Sequence, residues 1–315
     1  MPTRRTVVLA FSAGILIPAA ALGQAGRKVW RIGFIFASSR ERVGRFARDQ
    51  KFVEGMRELG YVKDRDYVTE WRFGDGSYDR LPALAEELVA LKVDIIVAGG
   101  SPAIRAVQQA TKTIPIVMTN TGDPVGSGFA ASLARPGGNI TGMSNSNNDV
   151  SPKYLELLMA LVPKLQRVAV LGNPGSSTHP AILKTVQTAA QSVRVSLVRV
   201  DARKVQEIEN AFATMVRERV DALIVVPEPL LNQQAGQIAE LAAKHRIPAV
   251  YGGRESVEAG GLIGYGPNLI ENWRRAATYV DKIFKGAKPG DLPIQQPTQF
   301  ELVINRKAAR ALGLT

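Results

Sequence analysis

The stretch VDIIVAGGSPAIRAV, Val93 to Val107, runs as an apolar strand into Gly99-Gly100 and opens a helical pattern at Ser101-Pro102. A helix that starts directly off a strand leaves backbone N–H groups without intrahelical partners at the carboxyl edge of a sheet. Such groups usually hold an anionic or polar ligand. Ser101 can also simply cap the helix and Pro102 occupy its first turn, so this junction alone reads more readily as plain helix initiation. Other polar residues fall at predicted strand ends: Ser38 and Ser39 after the first strand, and Asn120, Thr121 and Asp123 farther along. Asp123 has the right charge to accept from a ligand amine, and the right position to cap the turn before Pro124. Tyr251 and Tyr265 carry rings that can stack on a flat ligand or pack in a core.

This set of residues offers recognition rather than bond-making. The chain has no G-x-S-x-G nucleophile elbow, no H-E-x-x-H pair and no phosphate-binding Walker loop, and GGSPA is too loose for a dinucleotide fingerprint. Cysteine is absent, which removes disulfides, thiolate metal sites and lipid attachment to a cysteine, and suits an oxidising compartment. The two histidines, His179 in a loop and His245 in a helical stretch, read as surface or loop residues rather than ligands. No metal and no cofactor is expected.

The elements that must position these residues begin after a leader. Met1 to about Ala25 has Arg4-Arg5, an apolar run and small residues around Gly23-Gln24-Ala25, the pattern of a cleaved export signal of either the Sec or the twin-arginine route. The formal charge is +12. Removal of Arg4 and Arg5 leaves about +10, spread singly along the chain, which suits a soluble surface and anionic ligands better than nucleic acid.

Beyond the leader, short apolar strands alternate with amphipathic helical stretches in the order expected of parallel sheets covered by helices. The order then repeats: Val93-Asp94 corresponds to Val220-Asp221 and Ile114-Pro115 to Ile247-Pro248. The expected fold is therefore α/β, two doubly wound parallel-sheet lobes. RPGGNITGMSNSNNDVSP reads as the linker between them. Three crossovers are expected, near Gly142, Gly266 and Gly290. They give a leader at 1–25, a first lobe at 26–142 with 267–290, and a second at 143–266 with 291–315. Lobes joined in this way can close about a fixed axis.

Several motifs carry a family resemblance: FVEGMRELGY, GSPAIRA, IPIVMTNTGDPVGSGF, RPGGNITGMSN, KYLELLMALVP, VAVLGNPGSS, IPAVYGGRESVEAGGLIGYG and FELVINRKAARALGL. Through them the chain after the leader resembles the ABC-transporter substrate-binding proteins of the type I periplasmic binding fold, in the branch that includes tryptophan and tyrosine binders. The resemblance implies a cleft between facing strand ends, where Ser101 and Ala103 supply helix N-terminal amides to a ligand carboxylate. It also makes GNPGSST the equivalent second-lobe loop, with Asn173, Ser176 and Ser177 as donors.

Two departures bear on the ligand. Where the amino-acid binders resemble PTDN, this chain has Pro227-Glu228-Pro229-Leu230, and where they tend to Asp-Tyr it has Pro267-Asn268. The aspartate expected on the ligand amine is replaced by Pro229, which leaves Asp123 and Glu228 as the acidic residues near the cleft. The expectation is a monomeric periplasmic protein that captures a small carboxylate-bearing solute, amino acid or aromatic or aliphatic acid, and presents it to an ABC permease. A sensor module for a receptor kinase is the alternative, and an enzyme on the same scaffold a more distant one.

Overall fold

The computed structural model describes residues 28–45 and 47–314. The leader read at 1–25 lies outside them. The first sheet holds β1 (Trp30–Phe36), β2 (Tyr67–Phe73), β3 (Ile95–Gly99), β4 (Ile116–Asn120) and β5 (Ile140–Gly142), all parallel in the order β2-β1-β3-β4-β5. The second holds β6 (Arg167–Gly172), β7 (Ser196–Asp201), β8 (Ala222–Val225), β9 (Ala249–Tyr251), β10 (Ile263–Pro267) and β11 (Phe300–Ile304), in the order β11-β10-β9-β8-β6-β7. Only β11 is antiparallel to its neighbour. The central strands are buried on both faces, which is why WRIGFIF and DIIVAG read as nearly unbroken apolar runs.

Helices cover both faces of each sheet. In the first lobe, α1 (Arg40–Arg45) and α2 (Arg48–Glu58) precede α3 (Leu81–Ala90) and α4 (Ser101–Ala110). In the second come α5 (Asn147–Leu161), α6 (His179–Ser192), α7 (Glu207–Arg217), α8 (Pro229–Gln233), α9 (Ala235–Lys244) and α10 (Arg254–Glu258). The chain then returns: α11 (Ile270–Phe284) packs on α2, with Trp273 and Val280 in the same apolar layer as Phe34 and Phe52. Finally β11 and α12 (Arg306–Ala311) close the second lobe.

The internal repeat has a physical basis at the two aspartates. Asp94 accepts from the Arg31 amide at 2.8 Å, and Asp221 accepts from the Gln166 and Arg167 amides at 2.9 and 2.8 Å. Each carboxylate ties the start of a central strand to its neighbour. The two prolines match as well, since the Pro115 and Pro248 carbonyls accept from Ile96 and Leu223. Matched strand orders pair β1 with β6 and β3 with β8. GNPGSST follows β6, so its counterpart is the Ser38-Ser39 loop; the topological equivalent of GGSP is Pro227-Glu228-Pro229 after β8.

Three expectations need adjustment. The segment read as a linker contains β5 and the first turns of α5, because Ile140–Gly142 finds an edge partner in β4 that three residues cannot announce by periodicity. The stretch LLNQQAGQIAELAAKH, Leu230 to His245, whose pattern predicts one helix, forms two, broken at Gln234. The chain stays with the first sheet past Gly290: Ile294 is buried in its core, and Met143 pairs with Gln295 where the first and third crossings run side by side.

Candidate functional site

The strand ends of the two lobes face one another across a cleft of about 880 Å3, part of it open solvent. Its first-lobe wall begins at the Gly99-Gly100-Ser101 junction. Gly99 is glycine because a Cβ there would lie 2.2 Å from the Phe36 ring. Gly100 has φ +86°, and a Cβ on it would approach Pro229 of the other lobe at 2.9 Å. Two different close contacts, one within the lobe and one across the cleft, therefore account for the paired glycines.

Ser101 is buried and shares a hydroxyl hydrogen bond of 2.9 Å with Thr121. The Gly100 amide donates to the Asn120 side chain at 3.0 Å, which orients the turn into α4. The open first turn of this ten-residue helix and two hydroxyls thus sit together at one end of the cleft. Asn145 and Asn147 add amides from the first crossing, while Phe36, Leu269 and Trp273 supply the apolar wall. Phe36 and Trp273 stack with centroids 4.8 Å apart.

The second-lobe wall carries two carboxylates, and each reaches across to the first lobe. Glu255, on α10, pairs with Arg42 at 3.2 Å and with Arg48. Burial lowers Arg42 to a pKa of about 10, against the raising influence of Glu255. Glu228 caps α8 through the Leu231 amide and accepts from the Tyr78 hydroxyl and from Asn173 Nδ2 at 3.4 Å. Burial raises Glu228 to a pKa of about 7, with the hydrogen bonds from Tyr78 and the Leu231 amide pulling it down. Tyr78 is pushed well above its ordinary value by burial and by the facing carboxylate. Ser177 Oγ donates to Ser127 Oγ at 3.4 Å, a third contact between the lobes.

Of the residues singled out in the sequence, Ser38, Ser101, Thr121, Ser176 and Glu228 line the cleft. Asn173 is buried behind Glu228, and Ser177 is exposed at the rim. Ser39 accepts from the Arg42 amide at 3.4 Å, and Ala103 is buried in the first-lobe core. Asp123 stands away from the cavity lining, accepting from the Gly126 amide at 2.7 Å and from Asn148 at 3.3 Å. Tyr251 belongs to the apolar core of the second lobe, and Tyr265 stacks on Phe300 at 6.0 Å. Neither ring lines the cleft. His179, read as a surface or loop residue, is buried at the start of α6 because Gly172 leaves room for its ring.

Sequence reasoning missed Arg42, Arg48, Glu255 and Trp273. Trp273 lies on a helix more than 120 positions from any other first-lobe wall residue except those of the crossings, so no local pattern ties it to Phe36. The arginines sit in two ordinary-looking charged helices, Arg42 in α1 and Arg48 at the start of α2. Among the described residues no group of three or more His, Cys, Asp or Glu side chains is placed to hold a metal ion.

Residues 41–315 match the model of the family described as ABC transporter substrate binding protein. A tyrosine-binding protein of Clostridioides difficile is 26% identical over 263 residues, 84% of this chain and 75% of that one. Among solved structures, a conserved domain protein from Vibrio cholerae superposes with a TM-score of 0.85 at 25% identity, covering 91% of this chain and 96% of the other. A Streptococcus pneumoniae ABC domain in complex with L-Trp gives 0.84 at 24% identity, with the same coverages. A ligand-free, open substrate-binding protein from Clostridium difficile covers the same shares at 23% identity but gives only 0.64. The two-lobed type I periplasmic binding fold and the match over residues 41–315 agree, and the chain belongs to the ABC transporter substrate-binding protein family.

Proposed function

We propose that this protein captures a small carboxylate-bearing solute between its lobes outside the cytoplasm, in the periplasm, and presents it as a monomer to an ABC permease. The observation that carries the reading is the junction of β3 and α4, where open backbone N–H groups, Ser101 and Thr121 converge inside the cleft. Relatives described as binding tyrosine and L-Trp support a ligand with a carboxylate.

The acidic groups narrow the class further. An ammonium group buried in a closed cleft needs a carboxylate or several carbonyls, since an unpaired buried charge is very costly. Asp123 is held by its own turn, Glu255 by two arginines, and Glu228 by Tyr78 and the α8 amides. Acids without an α-amino group should therefore bind at least as well as the corresponding amino acids, with Phe36 and Trp273 beside any apolar portion.

A thermal-shift screen of tryptophan, tyrosine and phenylalanine beside their deaminated counterparts and aliphatic carboxylates tests this. A ligand at 100 times its dissociation constant stabilises by about 2.7 kcal/mol, a shift of several degrees. Shifts with the amino acids alone would refute the amine-free class, and no shift with any carboxylate would refute the whole reading.

A further inference from the structure

We propose that Glu228 and Tyr78 form a proton-taking latch between the lobes, acting as positioning residues that set how readily the cleft closes. Tyr78 belongs to the first lobe, where its ring packs against the apolar layer around Leu81 and Ile104. Its hydroxyl donates to Glu228 on the other side of the cleft and accepts from the Leu230 amide at 3.4 Å. The segment that carries Tyr78 also lies over Gly175 and near Gln233, both in the second lobe. This segment is the lid that completes the burial of Glu228, whose side chain is 3% exposed. Opening the lobes withdraws the lid and returns the carboxyl to water.

Burial penalises the charged form, so the closed state holds a proton more tightly than the open state. In the closed lobes Glu228 titrates at about 7, against an ordinary 4.5 when solvated. Closure takes up a proton between those values and is favoured as pH falls through 7. By linkage the closed-to-open ratio rises about 30-fold from pH 8 to pH 5.5.

The other charged groups around the cleft do not give this response. Tyr78 and Arg42 keep their protons throughout that range. His179 is the nearest titratable group on α6, and its ring packs on Gly172 of its own lobe, so its burial does not depend on closure. Beside Tyr78, Asp75 is paired with Arg80 at 2.6 Å within the first lobe, and Asp79 lies on the same short turn. Glu255 is bound to Arg42 and Arg48 across the cleft, a separate contact between the lobes.

The reading of the cleft as a capture site stands behind this proposal, but its test needs no solute, so the two can fail separately. The full chain is stripped of bound solute in denaturant, refolded, and measured by small-angle scattering at pH 8 and 5.5. The parent should be more compact at pH 5.5. Glu228→Gln, which keeps the shape and cannot ionise, should show the same radius of gyration at both values. Tyr78→Phe keeps the cover but removes a hydrogen bond to the charged form, so its transition should move to higher pH. A parent profile insensitive to pH, a Glu228→Gln variant that still responds, or a Tyr78→Phe transition that does not move would overturn the latch.

Discussion

At the residue scale, the cleft is shaped by what is missing from two side chains. Gly99 and Gly100 both lack a Cβ, yet for unlike reasons, and their alanine variants should behave differently. Gly99→Ala forces a methyl group into the Phe36 ring and should lower stability by about 1–3 kcal/mol in urea denaturation, as overpacking of a filled core does. Gly100→Ala carries the cost of a backbone conformation kept almost to glycine, about 1–3 kcal/mol, and also meets Pro229 across the cleft. It should therefore show a larger radius of gyration than the parent, while Gly99→Ala should not. Equal scattering from the two variants would remove the distinction. Asp123 shows the same economy of role: an acidic residue that could have faced a ligand amine instead holds the turn after β4.

At the scale of elements, the two lobes are assembled from matched parts, and the strand-opening aspartates are the clearest of them. Asp221 accepts two backbone amides from the start of β6, so Asp221→Ala leaves two donors short of a partner. The expected loss is about 1–3 kcal/mol, read as a lower urea midpoint with an unchanged slope. Asp94→Ala should cost less, because Asp94 accepts one amide and its ion pair with Lys28 is exposed on the lysine side. A midpoint unchanged by Asp221→Ala would show that water replaces the carboxylate. The return of α11 to the first lobe is an element-scale fact too, for it brings Trp273 against Phe36 and completes a wall that neither half builds alone.

For the whole molecule, the described arrangement is closed. Glu255 with Arg42 and Arg48, Glu228 with Tyr78, and Ser177 with Ser127 all join side chains of opposite lobes. Glu255→Gln removes the charge on which both arginines converge, and should enlarge the solute-free protein at neutral pH. Raising the salt concentration should do the same to the parent to a smaller degree, since partly buried pairs are screened less than exposed ones. Scattering at low and high ionic strength reads both effects, and a Glu255→Gln profile identical to that of the parent would mean the ion pairs do not hold the lobes.

The chain itself determined the repeat, the strands and the chemistry of the β3–α4 junction, because each rests on neighbours within about 15 positions: a run of apolar residues, a proline in a first turn, a serine before it. Val93-Asp94 and Val220-Asp221 announced the two lobes for the same reason, their function being local to a strand start. Tertiary structure alone decided which polar residues share the cleft. Tyr251 and Tyr265 stand at strand positions that looked available and were taken into the second lobe's packing, while Trp273, Arg42, Arg48 and Glu255 came to the cavity from helices. The surroundings of Glu228 belong to the same class, since Tyr78 reaches its carboxylate from the other lobe. Contacts between side chains 150 or 213 positions apart depend on how two sheets are set against each other, and no local pattern of residue types encodes that angle.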